Sequence, residues 1–239
     1  MTSSSKQNHC LRRNKGRSLL TIILFALPFM GSTSSFTDLS CKMAIDESVE
    51  IQIRWVDDLA GDFSFIDNWS YRDGVYRNEF GQMSCDGLCP PEIETMFDEN
   101  RKILADSLEA FYNLVDTTHY FHSIESEAMT YEWAGTEFIS VNRVNKDTVI
   151  CFTMNNVATH SSLDLVITEK TVKPTIDLIS ITPSGNMLFY CSGGEMTIDR
   201  SFWEKGILKA TFDFKFDDKE NPDMQMYWKG KIYAEIKSF

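Results

Sequence analysis

Residues 206–216 read Gly-Ile-Leu-Lys-Ala-Thr-Phe-Asp-Phe-Lys-Phe, and residues 224–236 read Met-Gln-Met-Tyr-Trp-Lys-Gly-Lys-Ile-Tyr-Ala-Glu-Ile. In the first stretch Leu208, Ala210, Phe212, Phe214 and Phe216 alternate with Lys209, Thr211, Asp213 and Lys215. In the second, Met224, Met226, Trp228, Ile232, Ala234 and Ile236 alternate with Gln225, Tyr227, Lys229, Lys231 and Glu235. Successive side chains of a strand point to opposite faces, so this period of two predicts two half-buried strands. The polar segment Asp217–Asp223 predicts the loop of a hairpin between them.

Outward from this pair, strand-like runs recur at 118–132, 136–144, 147–154, 162–168, 175–182, 186–191 and 194–199. Their separators are turn formers: Ala134-Gly135, Asn145-Lys146, Pro183-Ser184-Gly185-Asn186 and Gly193-Gly194. Near the other end Val49, Ile51, Ile53 and Trp55 alternate with polar neighbours and predict one more strand. Residues 57–90 hold too many turn formers for a long element; short strands are expected at Phe63–Phe65 and Trp69–Tyr71, with a turn at Asp73-Gly74. After Pro90-Pro91, Leu104, Leu108, Phe111 and Val115 recur every three or four residues, opposite Lys102, Asp106, Glu109 and Asn113. That spacing predicts an amphipathic helix over about 101–116. The expected fold is α+β, mainly β: an antiparallel β-sandwich or open barrel with this one helix packed on it.

Composition narrows the classes. The chain has 239 residues, 43% hydrophobic, with only 6 Pro and 12 Gly, which is unlike a disordered or collagenous sequence. A net charge of −12 argues against nucleic acid or anionic lipid as partner, since both bind through cations. The charge is uneven. Residues 1–34 carry Lys6, Arg12, Arg13, Lys15 and Arg17 and no acid, which leaves a remainder of net −17. Leu19–Met30 is apolar apart from Thr21 and Pro28, and Gly31-Ser32-Thr33-Ser34-Ser35 follows. Basic stretch, short apolar core and small-residue site together predict a signal peptide over 1–34. Residues 35–46 then read as a linker and 47–239 as one β-rich domain. Twelve helical residues rise about 18 Å against a hydrocarbon core of about 30 Å, so the leader is short for a span. No membrane span is expected after cleavage, and the protein is expected to be exported: periplasmic, outer-surface or secreted. The alternative is retention in the membrane by an uncleaved N-terminal segment.

Three segments of the C-terminal third carry a resemblance: Gly194–Ile198, Gly206–Phe214 and Trp228–Tyr233. Over about 45 residues this pattern resembles secreted β-rich bacterial envelope proteins of the domain-of-unknown-function kind. The resemblance implies an exported β protein of a bacterial envelope and brings no catalytic residues with it.

Candidate sites follow from residue types. Beyond Cys10 in the leader, five cysteines remain: Cys41, Cys85, Cys89, Cys151 and Cys191. In an oxidising compartment bridges are expected, and we place them at Cys85–Cys89, across a Gly87-containing turn, and at Cys151–Cys191, between strands. Cys41 is left over. Cys85, Cys89, His119 and His122 resemble a zinc set by type, but two residues between the histidines are too few, and a strand would point them apart. No cofactor is required by any motif. Calcium is the ion to test, at Asp217, Asp218, Glu220 and Asp223, with Asp57, Asp58 and Asp62 as a second acidic stretch. A solvated acidic loop is the favoured reading of both stretches, because charge runs usually face water.

Trp69, Tyr71 and Tyr76 lie in the irregular region where binding loops would be and are the candidate ligand residues, for a glycan or a protein partner. Asn68-Trp69-Ser70 is also a formal glycosylation sequon. Nucleophilic catalysis has little support: there is no Gly-x-Ser-x-Gly elbow, no His-Glu-x-x-His and no glycine-rich phosphate loop, and His160-Ser161-Ser162 is adjacent only in sequence. Two functions are therefore expected from different classes. The favoured one is an exported non-enzymatic binding or interaction module of the cell envelope. The alternative is a secreted carboxylate-dependent hydrolase such as a glycosidase. A deep cleft with a perturbed acid pair separates the second from the first.

Overall fold

The alternation of 206–216 becomes burial. Leu208, Ala210, Phe212, Phe214 and Phe216 all point inward, as do Met226, Trp228, Ile232, Ala234 and Ile236 on the neighbouring strand. These positions come from a computed structural model, which describes residues 49–71, 74–87, 89–153, 159–180, 185–218 and 221–238. The expected signal peptide 1–34 and linker 35–46, with Cys10 and Cys41, lie outside the described residues.

In chain order the elements are β1 (Ile51–Val56), β2 (Trp69–Tyr71), β3 (Val75–Arg77), β4 (Met83–Cys85), α1 (Leu108–Leu114), β5 (His119–Phe121), β6 (Ile124–Met129) and β7 (Ile139–Asn145). There follow β8 (Thr148–Thr153), β9 (Ser161–Ile167), β10 (Thr171–Leu178), β11 (Met187–Asp199), α2 (Arg200–Trp203), β12 (Ile207–Asp217), β13 (Gln225–Glu235) and β14 (Lys237–Ser238). Short 3₁₀ turns occupy Ser64–Asp67 and Pro91–Met96.

From β7 to β13 each strand pairs antiparallel with the next, a meander of seven. β1 wedges into it: Ile51 and Gln52 pair with β10, and Ile53–Val56 run parallel to the second half of β11. β6 lies on the outer edge of β13. The chain continues past Ile236 into β14, which pairs parallel with β7. The first and last strands of the meander thus meet, and the sheet curls on itself. This is the open-barrel form of the expected mainly-β fold, with one interior filled by Trp228, Phe214, Phe216, Leu163, Ile176 and their neighbours.

Three local readings are corrected. Gly193-Gly194 is not a turn: both residues pair with β12 inside β11, just after a register shift between Cys191 and Gly193, so the runs 186–191 and 194–199 are one strand of 13 residues. The run 118–132 divides into β5 and β6. The helix expected over 101–116 is realised only at Leu108–Leu114. Upstream, Asp98 Oδ1 accepts from the backbone amides of Asn100 and Lys102, and Leu104 N donates to Met96 O. That tight turn, with Arg101 at φ 61°, holds 98–104 out of the helix.

The helix also packs elsewhere than expected. Phe111 and Val115 join Met83, Cys85, Ile93 and Ile103 in a second, smaller cluster under the β3–β4 hairpin, apart from the barrel core. Cys85 and Cys89 are joined at its rim, with Cα atoms 5.9 Å apart. The expected Cys151–Cys191 bridge is not formed; both are free buried thiols. β9 and β10 lie between their strands in the sheet, which keeps the two sulfurs from meeting. Burial pushes both thiols above the ordinary cysteine range.

Candidate functional site

β2 and β5 form a two-stranded ribbon outside the barrel sheet, in the register Trp69–Phe121, Ser70–Tyr120 and Tyr71–His119. Alternation gives the ribbon two faces. On one, Ser70 Oγ lies 2.7 Å from His122 Nε2, and the rings of His122 and Tyr120 meet the edge of buried Phe138. His122 N donates to Asn68 O at 3.0 Å and extends the ladder by one rung. This face fastens the ribbon to the start of β7.

The other face carries Trp69, Tyr71, His119 and Phe121. The Trp69 indole stacks on the His119 imidazole, with centroids 3.8 Å apart and planes 10° from parallel. Tyr71 stands nearly perpendicular to both, 5.2 Å from Trp69 and 5.1 Å from His119. Those three distances make a triangle with Tyr71 beside the stack rather than on top of it. Neither ring therefore covers the outer face of Trp69. Trp69 is 43% exposed and Phe121, opposite it in register, 65% exposed. Tyr71 is half-buried because its other side packs on the second cluster. The result is a rigid aromatic shelf open to solvent.

Of the predicted ligand residues, Trp69 and Tyr71 are brought together. Tyr76 is exposed on β3, opposite Ser84, and no ring contact joins it to the shelf among the described residues. His119 and Phe121 escaped the sequence reading as ligand residues. The available signal was two short aromatic runs, Trp-Ser-Tyr and His-Tyr-Phe, each suited to a strand pair. The zinc resemblance does not assemble: Cys85 and Cys89 are joined to each other, and His119 and His122 face opposite ways.

The acidic loop is occupied by hydroxyl partners. Asp218 accepts from the Tyr131 hydroxyl, and Asp217 Oδ1 accepts from Ser192 Oγ at 2.9 Å. Glu220 lies outside the described residues. Among the described residues no three His, Cys, Asp or Glu side chains converge as a metal site. No helix among them is long and apolar enough to cross a membrane.

A second feature lies on the outside of the barrel. Ile150, Phe152, Ser162, Asp164, Val166 and Asp177 line a shallow cleft of about 660 Å³. Asp164 pairs with Thr175 and Asp177 with Ser162, so the two carboxylates are diagonal neighbours on adjacent strands. Burial first, and then the charge of Asp177, raise Asp164 above the ordinary carboxylate range.

No family model, curated protein or solved structure matches the chain.

Proposed function

We propose that this protein is an exported, non-enzymatic binding module of the cell envelope that takes a carbohydrate on the β2–β5 ribbon. Export rests on the leader pattern of residues 1–34. The binding role rests on one observation: Trp69 is held by a stack against His119 while its outer face stays open. A sugar ring presents a face of C–H bonds that packs on an indole, and an indole already fixed loses little entropy on binding. Phe121 extends the surface by a second ring. A printed glycan array tests this. Trp69→Ala and Phe121→Ala are expected to weaken the bound glycan about tenfold or more, and Tyr76→Ala to leave it unchanged. An array with no bound glycan, or a Trp69→Ala protein that binds as well as the parent, overturns the reading.

The cleft supports a second reading, a carboxylate-dependent hydrolase. The diagonal register puts two carboxylates on one face of the sheet, where an acid and a base could flank a glycosidic bond. Asp164, raised, would be the acid and Asp177 the base. The shallow wall favours the binding module, because an enzyme site excludes water. Turnover of aryl glycosides by the parent, lost in Asp164→Asn, would establish the hydrolase; no turnover by the parent removes it.

A further inference from the structure

One end of the barrel is covered by two indoles. Trp55 stands opposite Ile198 in the register of β1 and β11, and Ile198 is wholly buried, so Trp55 shares the core face near the ends of both strands. Trp203 of α2 meets it edge to face, with centroids 5.4 Å apart and planes 76° apart. Both rings are half-buried and pack on the barrel core. Trp55 Nε1 donates to Glu169 O at 2.9 Å, which ties the pair to the turn between β9 and β10.

Each indole carries an arginine. Arg200 Cζ lies over Trp55, 5.2 Å from the ring centroid, and Arg143 Cζ lies over Trp203 at 5.5 Å. Arg143 stands opposite buried Val149, so its stem leaves the core face of β7 and reaches this end of the barrel. Arg200, Trp55, Trp203 and Arg143 thus form one line of contacts. Contact with a ring uses none of the five N–H donors of a guanidinium as an ion pair would. Among the described residues the Arg200 guanidinium has no hydrogen bond and no carboxylate partner, and that of Arg143 has only the Lys146 carbonyl, 3.5 Å from Nη1. Arg101, Lys209, Lys229 and Lys231, by contrast, each lie 3.7 Å or less from a carboxylate oxygen.

The neighbouring turns do not supply the missing charge. Each carries exposed residues of opposite sign side by side, Lys146-Asp147, Glu169-Lys170 and Glu204-Lys205, and these cancel. Asp57 and Asp58 precede Leu59, whose amide donates to Asp199 Oδ2 on the outer face, and neither acid pairs with either arginine among the described residues. Arg143 and Arg200 are therefore uncompensated cations in a chain of net charge −12.

We propose that this end of the barrel binds a small ligand with two anionic groups, carboxylates or phosphates, one at each guanidinium. Arginine takes either group through two parallel N–H donors. The indoles hold the two arginine stems and set the spacing between the charges. A small ligand fits where a long polyanion does not, because the surplus of acid elsewhere on the chain repels the rest of a polymer. The site shares no residue with the ribbon, so an empty glycan array leaves it standing.

Isothermal titration of the full chain at low ionic strength tests this, with citrate as the carboxylate probe and pyrophosphate as the phosphate probe. Binding of one or both is expected, and the tighter identifies the group. Arg143→Gln and Arg200→Gln are each expected to weaken it about tenfold or more. Arg101→Gln, whose guanidinium pairs with Glu94 elsewhere, is expected to leave it unchanged. Arg200 is exposed, so its replacement should not disturb the fold. Arg143→Lys keeps a cation over Trp203 and should retain part of the affinity that Arg143→Gln loses. Binding of neither probe overturns the site. So does an Arg200→Gln protein that binds as the parent does, or an Arg101→Gln protein that loses as much.

Discussion

Asp199 is a carboxylate placed almost out of reach of water, with its side chain 1% exposed. Burial alone would raise its pKa, but three donors and a cation outweigh it. Leu59 N donates to Oδ2; Ser201 Oγ and Phe202 N donate to Oδ1; the Lys209 ammonium lies 3.7 Å away. The net effect holds Asp199 below the ordinary carboxylate value of 3.8. It also caps α2 through Phe202 N, and the Leu59 bond ties the segment after β1 to the end of β11. The sign of the pH dependence follows. A depressed folded pKa contributes stability above the unfolded pKa, and that stability is lost as pH falls through the folded one. Asp199→Ala should cost about 2–4 kcal/mol at neutral pH, since it removes a cap and leaves Lys209 buried beside unpaired amides. Urea unfolding at pH 7 and near pH 2 checks this: the difference between parent and variant should shrink at the lower pH. An equal difference at both would mean that the carboxylate is not ionised in the fold.

At the scale of elements, two glycines let strands approach where a side chain would not fit. A Cβ on Gly230, in the middle of β13, would lie 2.2 Å from Glu125 O and 2.8 Å from Ser126 Cα on β6. A Cβ on Gly194, where φ is +141°, would lie 2.1 Å from Asp213 O on β12. Both sites are backbone against backbone, so no rotamer change relieves them. The close approach at Gly230 also brings Ser126 Oγ to 3.1 Å from Trp228 Nε1, which satisfies the one polar atom of a fully buried indole. Gly230→Ala is therefore expected to cost about 1–3 kcal/mol or more, and Gly193→Ala, whose Cβ meets nothing within 4 Å, about 0.5 kcal/mol at most. Denaturant midpoints of the two variants compare them directly. The same alternation that revealed β12 and β13 concealed the bulge in β11, because Gly193-Gly194 carries the local signature of a turn. The strand stays continuous because Met187–Tyr190 pair with β10 while Cys191 and Gly193–Ile198 pair with β12.

The described residues gather two hydrophobic clusters, the larger inside a ten-stranded sheet that curls on itself. The barrel interior takes almost all of the large alternating residues, whereas the smaller cluster gathers α1, the Pro91–Met96 turn and the β3–β4 hairpin. The proposed ligand surface, the β2–β5 ribbon, lies outside the filled barrel, fastened at the start of β7. The described edge strand β6 carries Glu125 and Glu127, paired with Lys231 and Lys229 of β13. Exposed pairs of this kind contribute little to stability, yet charges on an edge strand discourage pairing with a second chain.

Side-chain period is a local property, set by the backbone of a few residues. The sequence by itself therefore determined which residues of β12 and β13 face inward, the mainly β class, and the turn-rich character of 57–90. It also singled out Trp69 and Tyr71. It did not disclose that Trp69–Tyr71 pairs with His119–Phe121, that β14 meets β7, or that Glu132, His160 and Ser180 share one network. It misplaced the Cys151–Cys191 bridge for the same reason. Each of these joins residues far apart in the chain, and such contacts are chosen by the summed packing of the folded molecule rather than by any local preference. The tertiary structure alone decided which aromatic rings are core and which are left open, because an indole is equally suited to either until its neighbours are in place.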